Sequence, residues 1–244
     1  MNEISYINDK LKERLLIELI KQDHSGIYSY TQQNMTYNSN KIEGSTLTKE
    51  QINTIFTTGI MTIHGTFRTK DVEETSGHFA MFNEMLKHLN EPLSEAIIKS
   101  LHHKLKRGVW EDMANGYVAG EYKQWRNQIA NIQTTAPHEV PLHMLNLLSW
   151  YELQDKTLRT MAELHIRYER IHPFQDGNGR TGRIILFREC LKHDILPFII
   201  EDINKAEYYQ ALNDVDALVD LFEKEQKEYM KEALPFIMTY DEIM

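Results

Sequence analysis

The chain is 244 residues long, with 41% hydrophobic residues and a formal net charge of −9. That is enough apolar material for one domain with a sizeable core, which excludes a disordered or fibrous protein, and the acidic balance argues against general affinity for nucleic acid. Cys190 is the single cysteine, so no intramolecular disulfide and no zinc spacing exists; with no run of 18 apolar residues either, the expectation is a cytoplasmic protein without a membrane partner.

In chain order, apolar residues recur at helical rather than alternating spacing. Helices are predicted near 10–22, 48–60 and 71–89, across Leu93, Ile97, Leu101 and Leu105 ahead of Gly108, and near 141–154, 157–171, 179–193 and 204–231. The fold class is therefore all-α. Before the second of these helices, Gly44 has the place of a helix stop, Thr48 and Gln51 have capping-box spacing, and Leu47 and Ile52 form a hydrophobic staple. Just ahead of that punctuation, Ser39 and Glu43 are four apart and share one face of a short helix. Spacing alone makes them a solvated surface pair.

Residues 121–141, "EYKQWRNQIANIQTTAPHEVP", lack a helical stripe. The segment reads as an extended hairpin or a long loop, and long irregular segments inside compact domains are often lids over a site.

In 157–171, Leu158, Met161, Ala162, His165 and Tyr168 make one largely apolar face that continues to His172. Pro173 disfavours helical geometry at the residue before it, so the helix ends at His172 and releases the chain into a loop. His165 reads as a packed core histidine; His172 is the functional candidate. Gly177 and Gly179 let backbone amides approach a ligand, and "RTGRIILFRECL" continues as a helix whose N-terminus suits an anion. Arg180 and Arg183 lie on the first turn of that helix, where cations are unfavourable without an anion between them. The missing partner is phosphate, and Asp176 is placed to hold a magnesium ion against it. "DGNGR" superficially resembles the start of an EF-hand, but Arg180 and Phe187 stand where calcium ligands are needed.

The run "HPFQDGNGRTGR", residues 172–183, matches the signature of the Fic (filamentation induced by cAMP) family without a departure, and "AGEYKQWRNQI", "PHEVPLHM" and "NKAEYYQAL" extend the similarity over most of the chain. The chain thus resembles a Fic protein adenylyltransferase. The resemblance implies a Fic-type helical core with a small β-hairpin flap, and a reaction in which AMP passes from ATP to a Ser, Thr or Tyr hydroxyl of a target protein, or of the chain itself, with release of pyrophosphate. His172 is then the general base, Asp176 the ligand of Mg²⁺ (or Mn²⁺), and Phe174 the anchor of the loop. Gly177, Asn178 and Gly179 surround the phosphates, Arg180 reaches the β-phosphate and Arg183 the γ-phosphate, while Tyr208 and Tyr209 lie near the adenosine. Gly179 favours AMP transfer, since Doc-like relatives carry lysine there and phosphorylate instead. Ile129, Ala130, Asn131 and Ile132 are the flap that pairs with the target.

"SNKIEG" is similar to the inhibitory motif of the same family, formed here by Ser39, Glu43 and Gly44, in which the glutamate pairs with the second arginine, Arg183. The implied division is an N-terminal unit, 1–65, carrying the inhibitory motif at 39–44, a catalytic core, 66–232, and a tail, 233–244. A deadenylylase, or a bifunctional enzyme using Glu43 in the same pocket, is the alternative. A nucleotide-switched binding module and a toxin are weaker ones. No nucleic-acid partner is expected, and a homo-oligomer is left open.

Overall fold

The computed structural model describes residues 3–59, 67–129 and 132–238. It is built from α1 (Glu3–Lys21), α2 (Ile27–Ile42), α3 (Lys49–Thr58), α4 (Thr69–Lys87), α5 (Glu95–Lys106), α6 (Trp110–Ala114), α7 (Val140–Glu152), α8 (Leu158–Ile171), α9 (Asn178–Lys192), α10 (Lys205–Ala211) and α11 (Val215–Ile237). Two short strands, β1 (Gln128–Ile129) and β2 (Ile132–Gln133), pair antiparallel with Ile129 opposite Ile132. Ala130 and Asn131, expected at the tip of the flap, lie outside the described residues. The all-α expectation holds, and among the described residues no helix is long and apolar enough to cross a membrane.

The central element is α9, which is buried without interruption from Arg180 to Leu191. A helix enclosed on every side belongs in the middle of a bundle, and α9 is packed by α8, α5, α4 and α2. Its contact with α8 is close: a Cβ on Gly182 would fall 2.8 Å from Glu169 Oε1 and 3.0 Å from the His165 ring. The helix holds its N-terminus fixed while the loop after α8 feeds into it.

Two departures from the sequence reading matter. The helix expected over 204–231 is two, because Asp214 caps α11 by accepting from the amides of Asp216 and Ala217, and α11 runs on to Ile237 with Ala233 and Ile237 still in its buried stripe. The larger departure is α2. In place of a short helix around Ser39 and Glu43 stands a helix of 16 residues that packs against α4 and α9. It shows no apolar stripe because much of what it buries is polar and bonded. Thr31 meets Tyr229 at 2.7 Å, Gln32 donates to the Phe79 carbonyl at 2.9 Å, Thr36 meets His78 at 2.9 Å, and Asn38 accepts from the Asp202 amide at 3.1 Å.

The punctuation after α2 is as read. Gly44 has φ of +88°, and the amides of Gly44 and Ser45 donate back to Lys41 O and Asn40 O, a Schellman ending. Thr48 and Gln51 exchange both capping-box hydrogen bonds, and Leu47 and Ile52 are buried. The two signals fix where α2 stops and so aim its last turn at α9.

Candidate active site

His172 caps α8 with φ of +50° and ψ of +63°, its amide donating to Tyr168 O at 2.9 Å. A non-glycine residue in the left-handed region costs about 1–3 kcal/mol, and Pro173 behind it closes the helical alternative. The imidazole of this strained turn stays beside α8, with Nδ1 3.7 Å from Glu169 Oε2. Phe174 is fully buried, and His102 lies flat on it with ring centroids 3.7 Å apart. His102 accepts from the Gly120 amide at Nδ1, so its Nε2–H donates to the Asp176 carbonyl at 2.9 Å. Burial, the main cause, pushes the His102 pKa down to about 3 and keeps this clasp neutral.

Asn178 tightens the same loop from inside, accepting from the Phe174 amide and donating to the Phe174 carbonyl, each at 2.8 Å. Its side chain is thereby committed to the loop, and only its backbone amide is free to face an anion with those of its neighbours. Gly177 sits at φ of +80° with the Lys106 stem beneath it.

Asp176 is surrounded by cations. Its Oδ2 lies 2.8 Å from Lys106 Nζ and 3.2 Å from Lys70 Nζ, and its Oδ1 accepts from the Gly177 amide and stands 3.5 Å from Arg180. Burial alone raises this carboxyl, but Arg180, Lys106 and Lys70 outweigh it and hold Asp176 well below the usual carboxylate range. Lys106, itself buried, also reaches Glu74 at 2.5 Å and Asp112 at 2.7 Å, and Glu74 meets Arg180 at 2.5 Å. Three cations and three carboxylates thus balance at the mouth of the loop. Among the described residues, no group of three or more His, Cys, Asp or Glu side chains is arranged to hold a metal ion.

The second arginine has a different partner. Arg183 donates from Nε to Ser39 Oγ at 2.9 Å and from Nη2 to Ser39 O at 3.0 Å and Glu43 Oε1 at 2.7 Å. A Cβ on Gly179 would fall 2.4 Å from Glu43 Oε1. Gly179, expected from the sequence to lie against the phosphates, is therefore the residue that admits Glu43. Tyr208 is buried under this arrangement, its hydroxyl 2.7 Å from His165 Nε2 and its ring 5.8 Å from the Arg183 guanidinium, whereas Tyr209 is 38% exposed.

The strand pair is tied to the loop at its base. Asn127 donates to the Phe174 carbonyl at 2.9 Å, and the buried Lys123 ammonium holds Asn127 Oδ1, Thr134 Oγ1 and Ile171 O. Sequence reading brought out His172, Asp176, Arg180, Arg183, Ser39 and Glu43, of which the fold joins Asp176 to Arg180, and Ser39 and Glu43 to Arg183. It missed His102, Lys106, Glu74, Lys123 and Glu169, whose Oε2 is 3.7 Å from His172 Nδ1. Only Glu169 had a local signal, three residues before the histidine.

Residues 92–189 match the model of the Fic/DOC family. The protein adenylyltransferase Fic of Nematostella vectensis is 29% identical over 184 residues, and that of Caenorhabditis briggsae 27% over 190; each match takes in 72% of this chain. The chain spans about two fifths of their length, 42% and 35% respectively. A Fic-domain signalling protein from Bacteroides thetaiotaomicron superposes with a TM-score of 0.75 at 24% identity, covering 96% of both chains. The Fic-1 fragment of Caenorhabditis elegans gives a TM-score of 0.68 at 20% identity, covering 95% of this chain and 73% of that one. Loop, central helix and likeness agree with the family match: residues 92–189 of this chain are a Fic/DOC domain.

Proposed function

We propose that the chain is a protein adenylyltransferase restrained by its own α2. It transfers AMP from ATP to a hydroxyl of a target protein or of itself, and it is divided into an N-terminal unit (1–65) bearing the restraint, a catalytic core (66–232) and a tail (233–244). The names of its relatives, protein adenylyltransferases, support the reaction class. The single observation that carries the restraint is the hold of Ser39 and Glu43 on Arg183, at the helix N-terminus that faces the phosphate loop.

In this reading the target oxygen attacks the α-phosphorus as the bond to pyrophosphate breaks, and His172 takes the hydroxyl proton. Loop amides at 177–179, the α9 N-terminus and the two arginines neutralise the phosphates from fixed positions. The Glu74 carboxylate aims Arg180, and the Lys123 clamp seats β1 and β2 as a flap on which an extended target segment adds by backbone pairing. Asp176 is a hard oxygen donor, and Mg²⁺ or Mn²⁺ commonly takes one or two carboxylates with phosphate oxygens and water. A single-carboxylate site at Asp176 fits that chemistry, and the ion would supply charge neutralisation there.

The restraint is competitive. A charge-assisted contact to a guanidinium in a buried setting is strong, and Glu43 occupies the donors that a γ-phosphate needs. One further observation favours a second role for Glu43: only Oε1 is bound to Arg183, and the side chain is 30% exposed, so the carboxylate has access to water that removal of AMP would require. Intact-mass analysis of wild type and Glu43→Gly after incubation with ATP and Mg²⁺ tests the transferred group and the restraint together.

A further inference from the structure

Glu169 is a buried carboxylate that the mechanism above does not use. It sits in the last turn of α8, 6% exposed, packed against α9 at Gly182, where any side chain would collide with its Oε1. Burying a charge is costly unless a partner compensates it. The groups facing it are few. His165 Nε2 is 4.0 Å away but already bonded to the Tyr208 hydroxyl, and burial pushes the His165 pKa down to about 4, so it stays neutral. Arg183, on α9, has its donors on Ser39 and Glu43. His172 remains, with Nδ1 3.7 Å from Glu169 Oε2.

Two atoms here are buried without a hydrogen-bond partner, Glu169 Oε1 and His172 Nδ1. Nδ1 faces the other oxygen of the carboxylate, Oε2, and closing that 3.7 Å gap to a hydrogen bond takes less than about 1 Å of movement. Contacts of this kind are often loose before substrate binds. Burial raises the Glu169 carboxyl, but His172, His165 and Arg183 more than offset it, leaving the group below its ordinary value and therefore ionised.

We propose that Glu169 is the positioning residue of His172: its carboxylate accepts the Nδ1–H, fixes that tautomer, and leaves Nε2 as the nitrogen that receives the target's proton. This rests on the reading of His172 as general base. The balance is complete within the reaction already proposed. The hydroxyl proton moves to Nε2 as the oxygen–phosphorus bond forms and pyrophosphate departs, the imidazolium so formed faces the Glu169 carboxylate, and the proton then passes to solvent. A base oriented by a third group is a recurring design in nucleophile activation.

The test is ¹⁵N NMR of the imidazole nitrogens at about pH 8, above the ordinary histidine range, in nucleotide-free wild type, with His172 assigned by its loss in His172→Ala. The expected spectrum has a protonated Nδ1 and a bare Nε2; the opposite tautomer overturns the proposal without involving any AMP transfer. Glu169→Gln, nearly isosteric, is expected to lower kcat about 10²-fold in a Glu43→Gly background with KM for ATP within about twofold. Unchanged kcat overturns the proposal. If Glu43→Gly transfers no AMP at all, the function fails while the tautomer result still decides the role of Glu169.

Discussion

Glu43 and Arg183, 140 positions apart, meet at 2.7 Å through a buried guanidinium whose remaining bonds go to Ser39. One residue is the C-cap of α2 and the other comes from the first turns of α9, so the contact joins the N-terminal segment to the helix that follows the 172–177 loop. Its strength is set by burial: Arg183 is 5% exposed, and burial, which disfavours the cation, is outweighed first by Glu43, so the arginine stays charged with that carboxylate as its chief counter-ion.

Ser39→Ala removes one acceptor, the hydroxyl that takes the Arg183 Nε–H. A hydrogen bond to a charged group contributes about 1.5–3 kcal/mol, and the Ser39 carbonyl and Glu43 remain. The expected outcome is a loss of about 1–2 kcal/mol in urea unfolding, together with a partial rise in AMP transfer, smaller than that of Glu43→Gly. Transfer at or below wild type with the stability loss present would confine Ser39 to a structural role.

Lys70 lies partly exposed against Asp176 Oδ2. Removing one ammonium from a partly screened pair changes its energy by up to about 1 kcal/mol, so Lys70→Met is expected to lower the Mg²⁺ concentration for half-maximal transfer by up to about fivefold in a Glu43→Gly background. A raised requirement would mean that the lysine serves the phosphates rather than competing for the carboxylate.

Lys123 supplies the pH-dependent prediction. Burial, followed by Arg126, pushes its pKa down from 10.5 to about 8. Between these values the unfolded chain binds more protons than the folded one, so the contribution of Lys123 to stability rises with pH across that window. Relative to Lys123→Met, which also loses three hydrogen bonds at the base of β1 and β2, wild type is expected to gain stability in urea titrations from pH 7.5 to 10. A difference that is flat across that range would show that the ammonium is not desolvated.

The parts of the site that were legible are contiguous in sequence. His172, Pro173, Asp176, Gly177 and the two arginines fall within 12 residues, where local backbone preference already says that a helix stops, a loop turns and a second helix begins. The caps around Gly44 and Thr48 were readable for the same reason. What escaped was tertiary. Glu74, Lys106 and Asp112 come from α4, α5 and α6 and acquire meaning only when packed beside Asp176. The helix α2 was invisible to hydrophobic periodicity because Thr31, Gln32, Thr36 and Asn38 are buried through hydrogen bonds rather than apolar contact. His102 was hidden inside the stripe of α5 that begins with Ile97, where a stacked histidine and a leucine fill similar places.

The central claim, a transferase restrained by Glu43, is tested most directly by intact-mass analysis of wild type, Glu43→Gly and Glu43→Gly with His172→Ala after incubation with ATP and Mg²⁺. The account predicts AMP-sized additions on Glu43→Gly, few on wild type, and a loss of about 10²–10⁴-fold when His172 is also removed. Glu43→Gly no more modified than wild type across a range of ATP and of Mg²⁺ or Mn²⁺ concentrations, or carrying phosphate in place of AMP, would contradict it.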